Sequence, residues 1–145
     1  MLDEPVVDPS ALRRARDGVG LSQARVAREL GLAGGEVVYN WERGLYEPRE
    51  SALPLLARLF NVEVADLLIV GPMDLRRRRL LAGCTVTQAA GVAGVSTVTY
   101  RRWEAGQTRR PLKSSVVEAL ALLFGVSGSA VEAAFRESTR TIPGS

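Results

Sequence analysis

The sequence predicts an all-α protein made of two tandem five-helix units, and three observations carry that reading. The chain repeats itself over nearly its whole length, each copy divides into short helical stretches opened by Ser, Thr or Asp and closed by glycine, and 46% of the residues are apolar, enough for packed cores.

The repeat is seen by aligning "LRRARDGVGLSQARVARELGL" from Leu12 with "LRRRRLLAGCTVTQAAGVAGV" from Leu75. Leu12 falls on Leu75, Gly20 on Gly83, Ala27 on Ala90 and Gly31 on Gly94, each pair 63 apart. "WERG" at 41–44 then falls on "WEAG" at 103–106, so the first copy carries one extra residue before its tryptophan. Pro48 matches Pro111, and "LFNV" at 59–62 matches "LFGV" at 123–126. The expected units are residues 8–70 and 71–137, with 138–145 a flexible tail. The joint is "VGPM" at 70–73, which carries two helix breakers and spans at most about 14 Å.

The elements follow in order. In the second copy Asp74 caps "LRRRRLL", which Gly83 ends. Thr85 caps "VTQAAGVA", which stops at Gly94, and Ser96 opens "TVTYRRWEA", which runs to Gly106. Tyr100 and Trp103 lie three apart and share the inward face of that third helix. "LKSSVVEALALLF" and "SAVEAAF" supply the fourth and fifth. The first copy follows suit: Ser22 caps "QARVAREL" with Val26, Ala27 and Leu30 inward, and Pro54 sits in the first turn of the fourth helix. The small Ala27 and Ala90 permit a close crossing by the third helix, and Gly31 and Gly94 make the turn before it.

Composition removes several classes of function. There is one cysteine, Cys84, and no histidine, so the chain offers no internal disulfide, no zinc cluster and no histidine to activate a nucleophile. No glycine loop followed by Lys and Ser/Thr cradles a phosphate. We therefore expect no enzyme, no metal and no cofactor. No apolar run approaches the length of a membrane span, and "MLDEPVVDPS" is acidic and proline-broken, unlike a signal peptide, so the expected location is cytoplasmic. Charge is uneven: residues 1–70 hold 8 Arg against 11 Asp/Glu, a balance of −3, whereas residues 71–145 hold 11 Lys/Arg against 5, a balance of +6. The second half suits an anionic partner.

At "GLSQ" (20–23), "GVS" (94–96), "WERG" and "WEAG" the chain resembles the Cro/lambda-repressor-type, or Xre-like, helix-turn-helix family. That resemblance implies two five-helix DNA-binding domains, each with its second and third helices as the reading pair. It implies structural ion pairs Arg16–Glu42 and Arg79–Glu104, which position helices rather than touch DNA. The base readers it implies in the second copy are Thr97, Val98 and Arg102. An arginine can chelate guanine O6 and N7, while valine and the threonine methyl can pack on thymine methyls. Thr99, Arg101, Arg109 and Arg110 are placed for phosphate. In the first copy the corresponding readers are Gly35, Glu36 and Asn40, with Gln23, Arg43 and Arg49 near phosphate. Two departures stand out. "AGG" at 33–35 lengthens the first copy's turn and replaces the serine cap, and Val86 replaces the phosphate-contacting glutamine in the second, with Gln88 two residues on.

The implied partner is double-stranded DNA, and the implied protein a nucleoid-associated bacterial or phage repressor reading a bipartite site. A rival reading is an interaction module, antitoxin or adaptor, binding itself or another protein through the first domain or the apolar fourth and fifth helices.

Overall fold

The computed structural model describes residues 4–140, and the chain divides into two compact units between Val70 and Gly71. Among the described residues the helices are α1 (Pro9–Gly18), α2 (Gln23–Glu29), α3 (Gly35–Glu42) and α4 (Leu53–Phe60) in the first unit. The second holds α5 (Leu75–Leu81), α6 (Val86–Ala93), α7 (Thr97–Glu104), α8 (Ser114–Phe124) and α9 (Gly128–Arg140). No described helix is long and apolar enough to cross a membrane.

Local chemistry accounts for most boundaries. Asp8 accepts from the Ser10 and Ala11 N–H groups at the start of α1, where Pro9 lacks the N–H that would go unpaired anyway. Ser22, Asp74, Thr85 and Ser96 each accept an N–H three residues on, opening α2, α5, α6 and α7. At Thr85 the Gln88 side chain returns the bond to the Thr85 N–H at 2.8 Å, completing a reciprocal cap. α6 ends on Gly94 in the left-handed conformation. The matched "LFNV" and "LFGV" segments end α4 and α8 the same way, on Asn61 (φ 56°) and Gly125 (φ 68°). Asparagine is the side-chain-bearing residue that adopts this conformation most readily, so the two segments are equivalent in backbone as well as in sequence.

The second unit closes over a core of Leu75, Ala89, Tyr100, Trp103, Leu120, Phe124, Val131 and Phe135, all buried. α9 is longer than expected and takes in residues 138–140 of the anticipated tail; residues 141–145 lie outside the described region. The reason is Ser138. Its fully buried hydroxyl accepts the Leu75 N–H at 3.1 Å and donates to the Ala134 carbonyl, satisfying one of the free N–H groups at the start of α5.

The first unit departs from the five-helix expectation. A single 3-10 turn, Val64–Leu67, stands where the fifth helix would be, with Leu67 fully buried. Only nine residues separate Asn61 from Gly71, too few for a further helix of several turns. The unit is sealed instead by backbone pairing. Val7 bridges Leu68 in antiparallel fashion, the Asp8 N–H donates to the Leu67 carbonyl at 2.8 Å, and the Ile69 N–H donates to the Val6 carbonyl at 2.7 Å. Glu47 holds this segment in place, its Oε2 accepting from the Val6 and Val7 N–H groups, both at 2.7 Å.

Candidate nucleic-acid interface

In the second unit α6 and α7 pack against each other across the Gly94 turn. Tyr100 (0% exposed) and Trp103 (8%) face the core, their rings edge to face at 5.9 Å. That anchoring turns the opposite side of α7 to solvent. Val98 is 58% exposed, Arg101 and Arg102 are exposed, and Thr97 and Thr99 are half-buried. The Thr99 hydroxyl is already engaged, accepting from Ser96 Oγ at 3.1 Å. Arg109 and Arg110 are exposed in the loop after α7. Arg101, Arg102, Arg109 and Arg110 have no carboxylate within ion-pair distance among the described residues, so four guanidinium groups are available to an external anion.

The arginine run at 76–79 contributes less to this surface than its charge suggests. Arg79 is 1% exposed and Arg76, Arg77 and Arg78 are half-buried. Arg77 lies 3.8 Å from Asp74 and donates to the Pro72 carbonyl.

Both units contain the same fork. Arg79 Nε and Nη2 donate to the two oxygens of Glu104 at 2.6 and 2.9 Å, and Nη1 donates to the Cys84 carbonyl. Arg16 meets Glu42 at the same two distances and donates Nη1 to the Leu21 carbonyl. Each fork ties the first helix of its unit to the end of the helix presented to solvent, and to the loop between the first two helices. This bidentate geometry is one that arginine supplies and lysine does not. In the first unit Gln23 Nε2 also donates to Glu42 Oε1 at 3.0 Å, so the residue expected near phosphate is part of this cluster. Burial pushes the Glu42 carboxyl up, but the hydrogen bonds from Arg16 and Gln23 and the Arg16 charge outweigh it and hold its pKa below the usual value. In the second unit burial, followed by the nearby Glu104 charge, drives the Tyr100 hydroxyl well above the ordinary phenol range and keeps it neutral.

The first unit presents a different face. Gly34 opens α3 without a side-chain cap, while Val38 and Trp41 point inward. Gly35, expected among the readers, is turned against α2: a Cβ there would lie 3.1 Å from the Ala24 nitrogen and 3.2 Å from its Cα. Its role is to let the two helices approach, and the residues left facing outward are Glu36, Tyr39 and, half-buried, Asn40. Gly35→Val should therefore cost about 1–3 kcal/mol of first-unit stability, because the facing atoms are backbone and cannot rotate away. A thermal melt unchanged from the parent protein would refute that tight approach.

Tyr39 was not singled out from the sequence. It is 47% exposed, and the Arg43 guanidinium lies 5.2 Å from its ring centroid. The signal was positional: Tyr39 stands two residues before Trp41, as Arg101 stands before Trp103. Arg49 is exposed beyond the loop that Glu47 pins.

Residues 12–67 match a family model described as helix-turn-helix, and residues 74–134 match one described as helix-turn-helix domain. No curated protein and no solved structure matches the chain.

Proposed function

We propose, from the premise that this chain is two helix-turn-helix domains in tandem, that it is a sequence-specific double-stranded DNA-binding regulator, a bacterial or phage repressor that reads a bipartite site. The observation that carries the reading is the solvent face of α7 and the loop after it, where exposed Val98 stands with four exposed arginines (101, 102, 109 and 110) that have no carboxylate partner among the described residues, on a helix fixed from behind by Trp103. A helix entering the major groove by its N-terminal turn needs such a face, with apolar and hydrogen-bonding groups for base edges and cations for the flanking phosphates. The two faces are not alike, since Thr97/Val98/Arg102 in one unit answer to Glu36/Asn40 in the other, with Tyr39 beside them in sequence. A single chain carrying both favours an asymmetric site. Binding-site selection followed by footprinting tests this, and a perfect palindrome protected by two chains would overturn the bipartite reading.

The second unit supplies most of the affinity, because its cap is intact and its half of the chain is basic. Arg102→Ala should cost about 1–3 kcal/mol and relax preference at one base pair. Arg109→Ala should weaken all sequences alike and lower the salt slope by about one. Asn40→Ala should cost less than Arg102→Ala. Titration of the three variants against one selected site ranks them, and abolished binding in Asn40→Ala with a silent Arg102→Ala reverses the assignment.

A second reading gives the first unit to a protein partner. It is favoured by the exposure of Leu45 (56%) and Tyr46 (67%) in the loop after α3, in addition to Tyr39. A footprint only one half-site long would support it.

A further inference from the structure

The second unit has a cavity of about 270 Å³ between the loop that follows α7 and the outer face of α9. Pro111, Leu112 and Phe135 make its apolar lining, and Arg109, Glu132 and Arg136 bring charge to it. Glu132 and Arg136 are four residues apart on α9, the spacing and order in which such a pair ordinarily closes. They do not form an ion pair with each other, and Arg109 has no carboxylate partner among the described residues. Two guanidinium groups and one carboxylate, none of them in an ion pair among the described residues, thus line a partly apolar hollow that is just under the usual ligand-pocket range of about 300–1,000 Å³ and suits only a small molecule.

We infer that this cavity binds a small organic carboxylate with an apolar body, and that its occupation draws Arg109 away from the DNA backbone. The apolar body lies against Phe135, Leu112 and Pro111. The carboxylate takes the two guanidinium groups, whose planar forks match its two oxygens. A bare inorganic anion would leave the apolar lining unused. The coupling rests on the DNA-binding reading above, in which Arg109 is a phosphate contact. A ligand that holds the Arg109 side chain competes with that contact, and by linkage DNA must weaken the ligand to the same degree.

The probe is 3-phenylpropionate, with 3-phenylpropanamide as the uncharged control, added to the full chain. Without DNA, proton–nitrogen NMR of the arginine side chains and of the amides of Leu112 and Phe135 should show saturable shifts for the acid. The amide, and the acid with Arg136→Ala, should bind at least about tenfold more weakly, the loss of a charged partner being of that order. Glu132→Gln should bind the acid more tightly. With DNA at 0.1 M salt, saturating acid should lower affinity about eightfold, the effect of one phosphate contact. Arg136→Ala should bind DNA as the parent does and lose this response. Equal responses to acid and amide, or shifts spread over the surface, overturn the site. Saturable binding that leaves DNA affinity unchanged overturns the coupling. A chain that binds no DNA at all defeats the regulator reading, while the DNA-free titration still decides whether the site exists.

Discussion

Glu104→Ala is expected to destabilise the second unit by about 3–5 kcal/mol, the range for removing one partner of a buried ion pair. Arg79 is 1% exposed, and two of its N–H groups end on Glu104 at 2.6 and 2.9 Å. Cutting the carboxylate away leaves a charged group in the core stripped of its counter-charge, with the neutral Cys84 carbonyl among the groups left to receive it. A domain of this size has a total stability of about 5–15 kcal/mol, so the loss takes a large share. The cost comes from the stranded charge rather than from the worth of the pair, and this is testable. Removing both partners, Arg79→Met with Glu104→Leu, should recover most of the stability. Denaturant unfolding followed by tryptophan fluorescence reads the effect, since Trp103 reports the second unit and Trp41 the first. A loss below about 1 kcal/mol for Glu104→Ala would mean the pair is solvated like one on a surface.

DNA affinity should fall by about three orders of magnitude or more between 50 and 200 mM salt if six to eight phosphates are contacted. Arg101, Arg109 and Arg110 in the second unit and Arg43 and Arg49 in the first are exposed and have no carboxylate partner among the described residues, so DNA phosphates would meet charges that are not already neutralised there. Release of condensed counterions then drives association and makes it steep in salt. Fluorescence anisotropy across a salt series, on the selected site and on a scrambled duplex, provides the measurement. Affinity flat with salt, or equal for the two duplexes, favours the interaction-module reading.

Much of the fold was legible because its signals are local. Asp74, Thr85 and Ser96 each precede a helix by one residue, and Tyr100 with Trp103 marks the inward stripe of α7 by spacing alone. The first unit was harder for a physical reason. Alignment to the second copy transferred a fifth helix onto a stretch with too little chain for one, and backbone pairing between residues some sixty apart leaves no periodic trace. Glu47 illustrates the same limit, since a loop carboxylate gives no sign that it accepts N–H groups 40 and 41 residues earlier. Within the candidate site, counting back from the tryptophan set the register of α3 but not what its first turn meets. Gly35 has no side chain to declare a direction, and it is the closeness of Ala24 that turns it inward. The forks Arg16–Glu42 and Arg79–Glu104 join residues 26 and 25 apart, a separation that no local pattern selects; only the family resemblance pointed to these partners.

In each unit the chain departs from the place to which it returns. Val7 lies across from Leu68 in the first, and the Leu75 N–H meets the Ser138 hydroxyl in the second. A module whose two ends coincide can be copied head to tail with a joint of a few residues, and neither copy need be stretched or recut to admit the other. The same closure means that the chain can be opened elsewhere and its old ends tied together, provided the new opening falls in an exposed loop such as the one after α3. It also orders synthesis. Neither unit can complete its seal until some sixty residues after its first element have left the ribosome, so each must emerge almost whole before it can hold its shape.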